Sequence, residues 1–85
     1  MTHFIHRSAH KHGATDDDIR HAIDNARVVA DIDDGIVLYL GPDLAANLLE
    51  VIAVTEDDDD ELVIHAMALR GKYRPLLQGL EDTHD

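Results

Sequence analysis

Near the end of the chain, three cations and a tyrosine lie within five residues: Arg70, Lys72, Tyr73 and Arg74. Pro75 favours a helix that begins near Lys72 or Tyr73, because proline is accepted without penalty only in the first helical turn. The free N–H groups of a helix start favour anions. Arginine can bind phosphate through paired hydrogen bonds, and a tyrosine ring can stack on a base. The spacing predicts a small phosphate-binding site, and a solvated helix start that balances nearby acids is the structural alternative.

A histidine interrupts the apolar segment Leu62–Met67. Alternate residues of a strand share a face, so we expect the side chain of His65 on the face of Val63 and Met67. A histidine there can act as a general acid or base near neutral pH. A half-buried histidine bonded to a neighbour is the structural alternative.

Four more histidines crowd the N-terminus: His3, His6, His10 and His12. His6 and His10 would share one face of a helix, and imidazole binds Zn, Ni and Cu. A closed metal site needs further ligands in fixed geometry. A titratable surface segment is therefore the favoured interpretation, and a histidine-based metal-binding protein is the weaker alternative.

The charge of the 85-residue chain is segregated along the sequence, with a net value of −11. Residues 1–14 and 62–80 carry cations and no acid, whereas 15–61 carry 15 acids and two arginines. The acidic body repels long polyanions, while the two cationic segments can bind a short anion. We expect a single domain over 1–85, with a basic, histidine-rich segment at 1–14 and a mobile acidic tail at 81–85.

The composition also bears on compartment and cofactors. The chain has no cysteine, which fits a reducing cytosol and excludes a cysteine-ligated metal site. No apolar run approaches the roughly 18 residues of a membrane span. The sequence contains no glycine-rich phosphate loop, nucleophile elbow or calcium loop. A cytoplasmic protein without metal or cofactor is the expectation.

The clearest element is a helix over residues 15–26. Thr15 is a good N-cap, and the acids that follow suit the positive end of the helix dipole. Its apolar residues recur at helical spacing and predict one buried face. A short helix over residues 4–11, ended by Gly13, is predicted before it.

After residue 27 the pattern becomes that of strands separated by turns. Asp33-Asp34-Gly35 is a hairpin turn signal, and Gly41-Pro42-Asp43 indicates a turn or wider loop. The six acids Glu56–Glu61 predict a mobile loop tip, because like charges repel. The predicted strands are Val28–Ile32, Ile36–Leu40, Leu48–Val54 and Leu62–Met67.

The predicted fold class is α+β, with a small antiparallel sheet of three to four strands, N-terminal helices and a C-terminal helix. The short connections favour a meander. The C-terminal helix should start within residues 70–75 and carry an apolar series at i, i+3, i+4 and i+7: Tyr73, Leu76, Leu77 and Leu80.

Two segments carry a family resemblance. Lys11-His12-Gly13 precedes the capped helix that contains His21-Ala22, and Val63–Tyr73 reads VIHAMALRGKY. Both resemble the opening and closing segments of BrnT-like proteins, which are ribonuclease toxins of type II toxin–antitoxin systems with a RelE-like fold. The order of elements agrees as well.

The resemblance implies a bacterial toxin-like protein that is bound by an antitoxin and cleaves RNA without a metal. Carried over by position, it implies a catalytic set and an RNA-binding set. The catalytic set is His65, Arg70, Lys72 and Tyr73, and the RNA-binding set is Lys11, His12 and Arg74. A non-catalytic module that binds a partner protein is the alternative function, and the sequence leaves the oligomeric state open.

Overall fold

A five-stranded mixed sheet forms the centre of the protein. The structure, a computed structural model, describes residues 2–81 and their side chains as far as Gln78. The spatial order of the strands is β1-β5-β4-β3-β2; β1 runs parallel to β5, and the other pairs are antiparallel. The elements are β1 (His3–Ile5), a 3-10 turn (Arg7–His10), α1 (Asp16–Asp24), β2 (Val28–Asp33), β3 (Ile36–Pro42), β4 (Leu48–Thr55), β5 (Glu61–Ala68), a second 3-10 turn (Gly71–Tyr73) and α2 (Arg74–Glu81).

Helix α1 begins where the sequence predicts it, because Thr15 caps its first turn. The hydroxyl of Thr15 accepts a hydrogen bond from the backbone N–H of Asp18 at 3.1 Å. Ile19 and Ala22 are fully buried against β3 and β4. The helix is thereby fixed on one face of the sheet.

Helix α1 approaches the sheet closely at Gly41. A Cβ atom at this position would collide with the carbonyl oxygen of Ala22 in α1. One residue on, the carbonyl of Pro42 accepts a hydrogen bond from Nδ1 of His21 at 2.8 Å. Glycine at position 41 therefore lets the helix lie directly on β3.

The two faces of the sheet differ in what covers them. On the first, which we call the helix face, α1 and Ala9 of the N-terminal 3-10 turn complete the buried core. Strand residues of the helix face are Val37, Tyr39, Leu49, Val51, Ala53, Val63 and Ala66. Cross-strand partners share a face, so the register assigns the opposite side of the sheet, the second face, to Leu38, Leu40, Glu50, Ile52, His65 and Met67.

The predicted fold class is wrong in its sheet and in its N-terminal helices. The sheet has five strands and is mixed, because His3–Ile5 pairs in parallel with β5. The predicted helix over 4–11 is a strand end followed by one 3-10 turn. Pairing with Glu61–Val63, which lies far away in sequence, decides the conformation of this segment over its local pattern.

Two predicted turns also need correction. Gly41 and Pro42 continue β3, and Glu61 is the buried first residue of β5 rather than part of a loop tip. The C-terminal helix starts within the expected range, with Pro75 in the first turn of α2. The predicted tail lies outside the described residues from position 82 onward. Within residues 2–81, no helix is long and apolar enough to cross a membrane.

Candidate functional site

Glu50 is the centre of a polar cluster on the second face of the sheet. It lies within the apolar strand β4 and is fully buried. Nε of Arg70 donates to both carboxylate oxygens, at 3.0 and 3.1 Å, and Nη2 donates to Oε2 at 2.7 Å. The backbone N–H of Arg70 also donates to Oε1 at 3.0 Å. The chain after β5 is thereby attached to the middle of the sheet.

His65 is the second partner of this carboxylate. Its Nε2–H donates to Oε2 of Glu50 at 2.9 Å, and its side chain is 24% exposed. A bulge in β5 inserts Ile64 between the residues that pair with Ala53 and Ile52. His65 therefore shares a face with Ile52 and Glu50, and the predicted common face with Val63 is wrong.

The two partners keep the buried carboxylate ionised. Burial acts to raise the pKa of Glu50, but hydrogen bonds from Arg70 and His65 outweigh it and hold that pKa below its ordinary value. The hydrogen bond to Glu50 in turn raises the pKa of the Arg70 guanidinium. A charged carboxylate also fixes the tautomer of neutral His65, which carries its proton on Nε2 and leaves Nδ1 as an acceptor.

His12 brings a second imidazole to the cluster. Its ring lies edge-to-face with that of His65, at 5.8 Å between centroids. It also lines an open groove of about 350 Å³. The groove has Leu49, Met67 and Ala68 as apolar lining residues and Asp18, Asp43 and Asn47 as polar ones. A small ligand in this groove would have access to His12 beside His65.

Two cations at the second 3-10 turn, Arg70 and Lys72, lie over the ring of Tyr73. Nζ of Lys72 lies 5.0 Å from the centroid of that ring, and Cζ of Arg70 lies 6.0 Å from it. Arg74 is exposed at the start of α2, and Lys11 is exposed beside His12 in the chain. The structure joins His65 and Arg70 at Glu50, places His12 against His65, and places Lys72 and Tyr73 beside Arg70.

Sequence reasoning did not identify Glu50. The signal was a single acid within the apolar run LLEVIAV, at a strand position where both neighbours are aliphatic. Charged residues are almost never fully buried unless they are paired. A lone acid there indicates a cationic or hydrogen-bonding partner, and Arg70 and His65 are among the residues whose types suit that role.

A second buried polar group lies on the helix face, where β1 joins the sheet. Nε2 of His3 lies 3.1 Å from both the hydroxyl of Tyr39 and Oε1 of Glu61. The tyrosine hydroxyl donates to the same oxygen of Glu61. Burial, followed by the contact with Glu61, raises the pKa of Tyr39. This triad connects β1, β3 and β5 and stabilises the sheet.

The remaining N-terminal histidines have local partners. Nδ1 of His6 caps the 3-10 turn by accepting from the backbone N–H of Ser8 at 3.1 Å. His10 binds the carbonyl of Ala14 through Nδ1 and the carboxylate of Asp16 through Nε2, both at 2.8 Å. Among the described residues, no group of three or more His, Asp or Glu side chains is placed to hold a metal ion.

No family model, curated protein or solved structure matches this chain. Two imidazoles, one oriented by a buried carboxylate, lie beside a guanidinium and an ammonium on an aromatic ring. Such a set can exchange protons at one atom and stabilise negative charge at another.

Proposed function

We propose that this protein is a toxin-like component of a bacterial type II toxin–antitoxin system that cleaves RNA in the cytoplasm. The observation that carries the proposal is the pairing of His65 with Glu50 at 2.9 Å, with His12 packed against the same imidazole. Two adjacent imidazoles provide both the base and the acid that a phosphodiester exchange requires. The resemblance of VIHAMALRGKY to the closing segment of BrnT-like toxins supports the same activity.

In the proposed reaction, Nδ1 of His65 accepts the proton of a ribose 2′-hydroxyl as its oxygen attacks the adjacent phosphorus. The P–O5′ bond breaks, and protonated His12 gives its proton to the departing 5′-oxygen. The products are a 2′,3′-cyclic phosphate and a 5′-hydroxyl. Arg70 and Lys72 stabilise the charge that develops on the phosphate oxygens.

The Glu50 carboxylate positions two members of this set at once. It holds the guanidinium of Arg70, whose side chain remains 43% exposed. It also orients the ring of His65, as carboxylates do for catalytic histidines in general. Tyr73 offers a ring face for a base, and Arg74 and Lys11 extend the cationic surface for a short RNA.

The experiment is cleavage of a short fluorescent RNA by the purified protein, compared with a variant in which His12 is replaced by glutamine. We expect wild-type cleavage with a 2′,3′-cyclic phosphate product, and a loss on the order of 100-fold or more in His12→Gln. His12 is exposed, so the melting temperature should stay unchanged. His10→Gln is the matched control, because His10 is an exposed neighbour outside the cluster.

A second RNA with a 2′-deoxy residue at the cleaved position separates this chemistry from contamination. It should stay intact under the same conditions, because it lacks the attacking oxygen. Equal cleavage of both RNAs, or equal rates for His12→Gln and wild type, would refute the proposal.

A non-catalytic protein-binding module is the second candidate function. The observation that favours it is that Glu50 already engages Nε, Nη2 and the backbone N–H of Arg70. On this reading His65 and Arg70 serve the buried carboxylate, and the exposed Lys72 and Arg74 bind an acidic partner. Absence of RNA cleavage, together with strong destabilisation by His65→Ala, would favour this candidate.

A further inference from the structure

Four apolar side chains form a straight row across the second face of the sheet. Phe4 of β1 is paired with Leu62 of β5, Leu62 with Val54 of β4, and Val54 with Ile36 of β3. Partners lie about 4.8 Å apart, so the row is about 14 Å wide. Phe4 is 51% exposed, and the other three are half-buried. None of the four belongs to the core cluster under α1.

Both described helices make their main contacts elsewhere and not on this row. Helix α1 packs against β3 and β4 from the helix face, and α2 makes its main contacts with the 3-10 turn Gly71–Tyr73. Ile32, which the bulge in β2 leaves unpaired beside Ile36, is 44% exposed. The row is therefore an apolar surface that is partly open to solvent, and apolar surface left open on a folded domain can mark an interaction site.

The end of the sheet beside the row is strongly acidic. The β2–β3 and β4–β5 turns lie together there, because the backbone N–H of Thr55 donates to the carbonyl of Gly35 at 2.8 Å. No lysine or arginine occurs between Arg27 and Arg70. The acids at this end are Asp31, Asp33, Asp34, Glu56, Asp57, Asp58, Asp59 and Asp60.

We infer that this row is a docking surface for a basic amphipathic helix of a partner protein. The apolar stripe of such a helix covers Phe4, Leu62, Val54 and Ile36, and its lysine and arginine side chains meet the acids at the end of the sheet. A width of about 14 Å corresponds to two to three helical turns. The inference does not depend on RNA cleavage.

The charge of the sheet end favours a basic helix over a second copy of the chain, a nucleic acid or an anionic lipid as the molecule that covers the row. A second copy of the chain would bring two molecules of net charge −11 together at their most acidic ends. Nucleic acids and anionic lipids would be repelled by the same carboxylates. A cationic partner instead gains attraction that steers its approach, while the apolar row provides the contact area.

The test uses a synthetic leucine–lysine peptide of about four helical turns, with leucine at i, i+3, i+4 and i+7. Two-dimensional NMR of the full chain should show its largest shift changes at Phe4, Ile36, Val54 and Leu62. A scrambled peptide of identical composition, with leucines spread around the helix, is the matched control. It keeps the charge but lacks the apolar stripe, so it should bind at least about 10-fold more weakly.

Substitution in the row gives the second arm of the test. Phe4→Ser should weaken binding of the patterned peptide on the order of 10-fold, because a large apolar contact is lost. Leu44→Ser should leave it unchanged, since Leu44 is an exposed apolar residue outside the row. Both variants should keep the melting temperature within a few degrees of wild type.

Three outcomes would overturn the inference. One is equal binding of the patterned and scrambled peptides, which would reduce the surface to a non-specific acidic one. Another is the absence of shift changes along the row at saturating peptide. The last is self-association of the chain alone with shift changes in the row, which would make a second copy the occupant.

Discussion

Arg70 contacts the buried carboxylate of Glu50 through Nη2 at 2.7 Å while its side chain remains 43% exposed. The side chain of Glu50 is fully buried, whereas that of Arg70 is partly exposed to water. Removing the cation would leave an uncompensated charge inside the sheet, which costs far more than the loss of a surface ion pair. The pair is thus both a structural link and a support for the neighbouring imidazole.

Replacing Arg70 by alanine should lower the melting temperature by roughly 10 °C or more, because Glu50 loses its principal partner. Thermal denaturation followed by circular dichroism measures the change. Arg74→Ala is the matched control, since Arg74 is an exposed arginine four residues further along. Similar melting temperatures for Arg70→Ala and wild type would show that the ion pair does not support the fold.

Because of Glu50, the stability of the fold should decrease as the pH falls into the acid range. The pKa of Glu50 in the folded protein lies below the ordinary value of 4.5, so the ionised form stabilises the fold. That contribution is complete above the ordinary value and is lost as pH falls through the folded-state pKa. The difference in melting temperature between wild type and Glu50→Gln should therefore shrink as pH falls below 4.5. A difference that stays constant from neutral to acid pH would contradict the assignment.

The matched control for this titration is Glu56→Gln. Glu56 is an exposed acid in the turn after β4. The melting temperature of Glu56→Gln should follow that of wild type over the same pH range, because the Glu56 carboxylate does not have the buried partners of Glu50.

Tyr39 should resist ionisation until the protein unfolds. Burial and the neighbouring Glu61 raise its pKa above the ordinary value of 10.0, so the neutral phenol is the form that the fold favours. Stability from this preference is present below the ordinary value and is lost as pH rises above it. In Tyr73→Phe, which leaves Tyr39 as the sole tyrosine, phenolate absorbance should appear only with loss of the circular dichroism signal. Phenolate formation in a folded protein would refute this prediction.

Gly41→Ala should destabilise the protein by about 1–3 kcal/mol, because the added methyl group collides with the carbonyl of Ala22. Urea denaturation gives the free energy of unfolding. Gly71→Ala is the matched control: a Cβ there meets nothing within 4 Å, so its effect should stay within about 0.5 kcal/mol. Equal effects at the two positions would mean that α1 can move away from β3.

The helix and four of the strands could be predicted because their signals are local. Thr15 and the spacing of Ile19 and Ala22 specify α1, and the aliphatic runs of β3 and β4 are bounded by turns. The conformation of His3–Ile5 depends instead on backbone pairing with β5, about 58 residues away. Three residues provide too short a pattern to show a strand.

Only part of the candidate site could be predicted from the sequence, for a related reason. His65, Arg70, Lys72 and Tyr73 are close in sequence, so a strand end followed by a turn brings them together. Glu50 reaches them only because β4 pairs with β5 in a register that a bulge shifts by one residue. A one-residue displacement moves a side chain to the other face, and sequence spacing does not reveal it.

The parallel pairing of β1 has a consequence for synthesis. His3–Ile5 leaves the ribosome well before its backbone partners in the sheet, Glu61–Val63, have been translated. The β2–β3–β4 meander can form from neighbouring residues while β1 is still without a partner. Strand β1 is thus translated before β5 but can join the sheet only after β5 has been made, and a nascent chain stalled before residue 61 would leave β1 unpaired.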